Sequence, residues 1–500
     1  MARPAEAPST ESLLLRADLL LEATLTAEDA APSALLGVSV ALDGDRAVVG
    51  ATGDSEADSS AGAAYVYDRV DGVWAQTAKL IGSRPVELGW VGRSVAVDGD
   101  VVVVGGHRYN DYTGIGYAFV LDEDGVWQEE TRFTAQSARE FDNFGFDVAL
   151  DGNTAVIGAP LDDATGDQTD DSGAAYVFVR EGQSWSRTRL TADDGASGDL
   201  FGISVDIDGD RIVVGAQNTE ASDLSGGRGA VYVFRRDGSD WAQESRLVAD
   251  DTLGGDFYGR SVAIEGDRVL VGDPSADATI DSTGAVYEFV RDGQTWTQRS
   301  RIVADEATSS TDSFGTDVAL KGDRAVVGAT GASPRGLPTG VAYTFVRTDE
   351  RWTQEATLVP EGGQSGDAFG FDVTLDGERV LAGARGTNGA AGFNTGAAYV
   401  FLVSSPVNLE SSLEAHVFLD LYPNPTSTRA TVQWEQVQTG PARLSLHDVL
   451  GREVAVLEEG TCGTGTHSAV VPVERLAPGV YVVRLVSLGA VATRSLTVVR

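Results

Sequence analysis

The hydrophobic pattern of this chain is one of short strands, and it is clearest between Phe144 and Leu190. Phe144-Gly145 opens a run with apolar residues at Val148 and Leu150, Asp151-Gly152 interrupts it, and Ala155 to Ala159 is almost wholly apolar. That predicts a hairpin of two buried strands around a two-residue turn. After an acidic loop, Ala175 to Val179 and Trp185 to Leu190 form a second hairpin about Glu181-Gly182. Its outer strand alternates apolar and polar side chains, as a strand at a wet sheet edge does. One unit is therefore a four-stranded meander.

The unit recurs. The opening glycine falls at Gly37, Gly92, Gly145, Gly202, Gly259, Gly315 and Gly370, at spacings of 53 to 57 residues, and a glycine also ends each second strand, from Gly50 to Gly383. A period of that size with four strands per copy predicts an all-β, seven-bladed β-propeller. Six copies carry a tryptophan in the fourth strand, from Trp74 to Trp352, and the seventh lacks that strand. Leu25 precedes Gly37 by the same twelve positions that separate Leu190 from Gly202. The segment from about Leu19 to Thr26 is thus expected to complete the last blade and close the ring. The expected organisation is a leader at 1–11, the propeller at 12–403, a linker at 404–420 and a small Ig-like β-sandwich at 421–500.

Composition adds a charge constraint. With 75 acidic against 37 basic residues, a net charge of −38 repels nucleic acid and anionic membranes. The only lysines are Lys79 and Lys321, and this acidic, lysine-poor makeup points to a halophilic protein of a saline habitat. Cys462 stands alone, so no intramolecular disulfide can form. No apolar run is long enough to span a membrane, and the first thirty residues lack the basic start and apolar stretch of a signal peptide.

The repeat, read as FGFDVALDGNTAVIGAP from Phe144 together with the connection LTADDGASGDLFG from Leu190, resembles the bacterial FG-GAP repeat family, relatives of the integrin α-chain propeller. In integrin-type copies the loop between the first two strands holds a calcium site. Here it is Asp151-Gly152 and its equivalents, too short to wrap a cation that needs six to eight oxygens. The stretch from Leu421 resembles the C-terminal sorting domain of the type IX secretion system. The match is carried by Tyr422, Pro423, Asn424 and Pro425, by LSLHDVLGREV from Leu444, by LAPGVYVVRL from Leu476 and by the basic end at Arg500. That resemblance implies secretion or cell-surface attachment, with the type IX machinery as a partner, and the family also needs a signal peptide.

No catalytic residue is assigned. A Ser-His-Asp triad in the ring would have to use His107, and no serine sits in a nucleophile-elbow context. In a meander the long loops after each second strand, and those joining one blade to the next, emerge on the same face, where a ring usually binds its ligand. Most of these loops are acidic. Solvated surface acids are the expectation, with Asp162, Asp163 and Asp167 as the ligands calcium would use if any cofactor is held.

The second blade departs from this pattern with His107, Arg108, Tyr109 and Tyr112 in its long loop and Trp90 just before its first strand. Flat rings beside polar groups suit a sugar, while Trp90 could instead fill the opening-aromatic slot that Val91 leaves small. Arg335 and Arg385 would admit an anionic glycan on the same face. The expected protein is a monomeric, non-enzymatic adhesion or recognition protein for a glycan or protein ligand. The alternatives are a polysaccharide-active enzyme and a passive surface-layer component.

Overall fold

The computed structural model describes residues 19–498, apart from 136–138, 164–170, 220–226, 253–255, 277–282, 306–308, 310–311, 334–335, 361, 404–417 and several short turns after 422. The chain divides into two compact units, Met1–Pro406 and Val407–Arg500.

In the first unit, six four-stranded antiparallel sheets follow one another at residues 36–80, 94–133, 148–190, 201–247, 261–302 and 314–358. They are numbered sheets 1 to 6. A seventh, sheet 7, combines Phe369–Asp376, Arg379–Ala384 and Ala397–Val403 with the N-terminal strand Leu19–Leu25, which pairs antiparallel with Ala397–Val403. The first strands of consecutive sheets lie side by side, and that of sheet 7 lies beside that of sheet 1. This succession encloses a central bore.

Two devices repeat around it. The opening aromatics Phe144, Phe201, Tyr258 and Phe369 are buried and set edge-on, 5.4 to 5.6 Å away, against the third-strand tyrosines Tyr176, Tyr232, Tyr287 and Tyr399. Each second-strand glycine also abuts the opening glycine of the next sheet. A Cβ on Gly50 would stand 2.0 Å from the Gly92 carbonyl oxygen, and one on Gly383 would stand 2.1 Å from that of Gly37. No side chain fits there, which is why glycine recurs at these positions.

The opening glycine and its successor bulge out of the ladder. Leu36 pairs with Ala51 and Ser39 with Gly50, leaving Gly37 and Val38 unpaired, and Phe201 and Ser204 flank the same shift in sheet 4. In sheet 2 the N–H groups of Gly92 and Arg93 share the Gly105 carbonyl, at 2.9 and 3.1 Å. Such a bulge re-aims a side chain. Here the residue after the opening glycine is turned toward the bore.

The second unit has a three-stranded sheet (Phe418–Tyr422, Ala430–Gln436, Gly465–Val471) and a four-stranded one (Glu453–Cys462, Gly440–Asp448, Gly479–Ser487, Ala490–Val498). Trp434 and Val471 from one share a core with Leu444, Leu446, Val483 and Leu485 from the other. The first strand starts at Phe418, inside the stretch expected as linker. Tyr422 ends that strand; Pro423, Asn424 and Pro425 lie outside the described residues.

Candidate functional site at the mouth of the bore

Trp90 does not fill the opening slot. Val91 does, buried to 3% exposure and bridged to Gly62 as Phe144 is bridged to Gly114. Trp90 sits one residue earlier, in the left-handed region at φ 52, where Leu35, Asn143 and Leu200 stand in other copies. That backbone lifts its ring out of the core and onto the long-loop face.

The loop after the second strand of sheet 2 meets it there. Asn110, Asp111 and Tyr112 are all left-handed, at φ 48, 56 and 64, a strained run for residues other than glycine. The turn is held by the N–H groups of Phe141 and Asn143 bonding the Asp111 and Tyr112 carbonyls. It carries Tyr112 against Arg108, whose guanidinium lies 5.1 Å from the Tyr112 ring centre and 3.6 Å from that of Trp90. The other side of the cluster is Phe141, stacked on Tyr112 at 5.8 Å and 58% exposed. Tyr109 departs from expectation: its ring packs on the core between sheets 1 and 2, beside Tyr117, and is no part of the outer platform.

His107 links this platform to the bore. It is 7% exposed, edge-on to Trp90 at 5.7 Å and to Phe146 at 5.3 Å, and its Nδ1 has no hydrogen-bond partner. Burial, with Arg93 and Arg108 adding to it, pushes its pKa down to about 3, so the ring is neutral near pH 7.

Below it, the bulged residues line a neck of about 50 Å³: Arg93, Phe146, Ile203, Arg260, Thr316 and Phe371. Arg93 lies over Phe146 at 4.5 Å, and Arg385 lies over Phe371 at 3.8 Å. The floor is formed by Asp147, Asp317 and Asp372, and below it the bore widens to about 240 Å³ between the first strands of the ring. Each of these carboxylates accepts a backbone N–H from the next sheet: Asp147 from Val205 at 2.8 Å, Asp317 from Val373 at 2.7 Å and Asp372 from Val40 at 2.6 Å. Asp206 makes the same bond to Ile264, at 2.7 Å.

The acidic loops differ from the solvated reading. Asp54 is buried, accepts the Tyr65 hydroxyl at 2.8 Å and pairs with Lys79 at 2.9 Å. Asp162 is buried the same way, bonded by Tyr176 and Arg189. Asp199, Asp312 and Asp367 are also buried, and each takes the N–H of the residue three positions earlier, at 2.7, 3.1 and 2.7 Å. These acids build the long-loop face from within. Asp162, expected as a cation ligand, is thus engaged by protein donors, and Asp163 accepts the Asp171 N–H at 3.2 Å. Asp167 and Arg335 lie outside the described residues, among which no cluster of three or more His, Cys, Asp or Glu side chains is arranged to hold a metal.

Arg93, Arg260, Phe146, Phe371 and Phe141 belong to the site and are not among the residues expected from the sequence. The first four share one signal: they follow the opening glycine, a position that varies while its neighbours repeat.

Comparison with known proteins matches the chain to the FG-GAP repeat at residues 20–67, 127–178, 185–234, 241–289, 296–345 and 352–401. Residues 68–126, which hold most of sheet 2 and its platform, fall between these matches. Residues 420–499 match the Secretion system C-terminal sorting domain. Among solved structures, the chain is similar to the acylaminoacyl peptidase of Pyrococcus horikoshii, at 10% identity and a TM-score of 0.41, over 81% of this chain and 57% of that one. It is also similar to the β-propeller domain of the Trilobed protease from Pyrococcus furiosus, at 11% identity and a TM-score of 0.40, over 77% and 99% of the two chains. No curated protein sequence matches it.

Proposed function

This chain belongs to the FG-GAP repeat family and carries a type IX sorting domain that directs it to secretion and the cell surface, and on that footing we propose that it is a non-enzymatic recognition protein binding a glycan. The seven sheets are the blades of a seven-bladed propeller, and the C-terminal unit is an Ig-like sandwich that serves as its address.

The observation that carries the reading is the Arg108 guanidinium packed against both Trp90 and Tyr112, on a face that also exposes Phe141, Phe257 and Phe393. Exposed rings are costly on a soluble surface unless a partner covers them, and indole, phenol and guanidinium together supply stacking faces and donors for a sugar. Support for a non-enzymatic role comes from the acids of the bore. They are tied to backbone N–H groups around a neck too small for a sugar ring, and His107 is a buried neutral imidazole with no hydroxyl on Nδ1. The acid excess suits a protein working in high salt.

The test is a glycan and protein array probed with the whole chain and with Trp90→Ala and Tyr112→Ala. We expect glycan signal from the parent and at least a tenfold loss in each variant. Equal binding by folded variants, or signal on proteins alone, overturns the reading.

A further inference from the structure

We propose that Arg93, Arg260 and Arg385 form an oxyanion site at the neck of the bore, taking the carboxylate or sulfate group of an acidic glycan. The choice of a glycan as carrier rests on the function proposed above; the anion chemistry does not.

Arginine follows the opening glycine in only two of the seven copies, at Arg93 and Arg260, and both line the neck. Arg385 leaves the second strand of sheet 7 onto Phe371, itself a neck residue. Among the described residues no carboxylate stands within ion-pair distance of any of the three. That is unlike the arginines lower on the sheets, such as Arg291 with Glu244 at 2.6 Å or Arg324 with Glu355 at 2.9 Å.

The floor carboxylates Asp147 and Asp372 attract Arg93 from a distance but form no ion pair with it. Each commits an oxygen to the next sheet, and burial pushes Asp317 up to about 7 and Asp372 higher than its ordinary value, so the floor carries less than its full negative charge near neutrality. Burial and Arg260 bring Arg93 down to about 10 against the pull of Asp147 and Asp372, and burial and Arg260 also lower Arg385, a crowding of like charges that a bound oxyanion would relieve.

Stacking sets the recognition geometry. With Phe146 behind Arg93 and Phe371 behind Arg385, one face of each guanidinium is covered while the in-plane N–H donors stay open, the edge that grips carboxylate or sulfate in pairs. A neck of about 50 Å³ admits such a head group in place of a few waters and stops a sugar ring at the mouth, beside Trp90. His107 bridges the two, ring-on-ring with Trp90 and Phe146, with its buried Nδ1 still unpartnered. On a chain of net charge −38, this half-buried positive point would select acidic glycans that the outer loops otherwise repel.

The experiment titrates the full chain with sodium sulfate, sodium acetate and matched neutral, uronate and sulfated oligosaccharides, following heat of binding and thermal shift. The parent is expected to bind an acidic oligosaccharide at least tenfold more tightly than its neutral match. Arg93→Gln with Arg260→Gln, and separately Arg385→Gln, should abolish that ratio while leaving neutral binding in place. Sulfate or acetate should raise the melting temperature of the parent and not of the variants. If the parent binds neutral and acidic sugars alike and neither ion shifts its melting, the anion site is wrong and the glycan reading survives. If the ions bind in an arginine-dependent way while no oligosaccharide binds, the anion site stands and the glycan reading fails. A folded double variant that keeps the acidic preference overturns the proposal, and Arg385→Gln decides the matter if the double variant does not fold.

Discussion

Glu22 accepts a hydrogen bond from Arg379 Nε on Oε2 at 2.9 Å and one from Arg69 Nε on Oε1 at 2.7 Å, so a single carboxylate near the start of the chain ties sheet 7 to sheet 1. Trp74 adds its Nε1–H at 3.3 Å. The arrangement recurs where Glu130 takes Arg180 and Trp185 across sheets 2 and 3, which shows what the fourth-strand tryptophan does in these copies: it donates to the glutamate of the preceding sheet. At the closure the glutamate comes from the other end of the chain.

Removing residues 1–30 should therefore open the ring. It strips Leu19–Leu25 from Ala397–Val403, leaves an unpaired edge and deletes Leu25, 3% exposed, whose burial alone is worth about 2–5 kcal/mol. Thermal unfolding with light scattering should show a lower, broader melt or aggregation. Glu22→Gln should be milder, at about 1–3 kcal/mol. A truncated chain that melts like the parent would refute closure by this strand.

The glycine contacts separate two kinds of substitution. Gly377 sits in a two-residue turn at φ +59 with open space around its Cβ position, so Gly377→Ala should cost only the left-handed penalty of about 1 kcal/mol. Gly383→Ala drives a methyl group to 2.1 Å from the Gly37 carbonyl and must push two sheets apart, at about 3 kcal/mol or more. Denaturant melts of the pair would give the ranking, and equal losses would contradict the tight seam between sheets 7 and 1.

Buried Asp273 and the half-buried Asp206 and Asp317 set a pH dependence with a definite sign. Burial pushes Asp206, Asp273 and Asp317 each up to about 7, against an ordinary value of 3.8. Between those limits the folded chain keeps protons that the unfolded chain has lost, so stability is greatest below the window and declines as pH rises through it. At fixed salt the melting temperature should be higher at pH 5 than at pH 8. For Glu22 and Asp29 burial opposes ionisation, but the bonds from Arg379 and Lys79 outweigh it and hold both pKa values below normal, so their contribution is lost only in stronger acid. Asp317→Asn keeps an acceptor for the Val373 N–H and removes the charge, so it should raise the melting temperature at pH 8 and flatten the profile. A parent whose stability rises steadily from pH 5 to 8 would show that these acids are not protonated in the folded chain.

Much of this architecture is legible in the sequence because glycine spacing and strand alternation are local signals. The twelve-residue interval from Leu25 to Gly37 is enough to locate the closing strand. The bore is harder to read. A bulge at Gly92-Arg93 breaks the two-residue period, so counting along the strand cannot say that Arg93 and Phe146 turn inward. The platform was readable as to Trp90, Arg108 and Tyr112, which do converge, but not as to Tyr109, because the left-handed run from Asn110 redirects the loop. Nor does an acid-rich loop reveal which acid is buried. Asp162 is chosen by Tyr176 and Arg189, cross-strand partners in register on the next hairpin.

That triad gives the last prediction, which separates a structural acid from a calcium ligand. Asp162 is buried, bonded by the Tyr176 hydroxyl at 2.5 Å and paired with Arg189, and Tyr65 and Lys79 hold Asp54 in the same fashion in sheet 1. A carboxylate so engaged has little left to offer a cation, which would also have to displace the arginine. Replacing it leaves Arg189 and the tyrosine hydroxyl short of an acceptor in a partly buried place, a loss of about 3–5 kcal/mol for a broken buried pair, less here because Arg189 keeps some contact with water. Asp162→Ala should thus lower the melting temperature by the same amount with excess calcium and with a chelator, and the chelator should scarcely move the parent. Were calcium to stabilise the parent strongly and the Asp162→Ala variant not at all, Asp162 would be a metal ligand and the Tyr176–Arg189 clasp only its support.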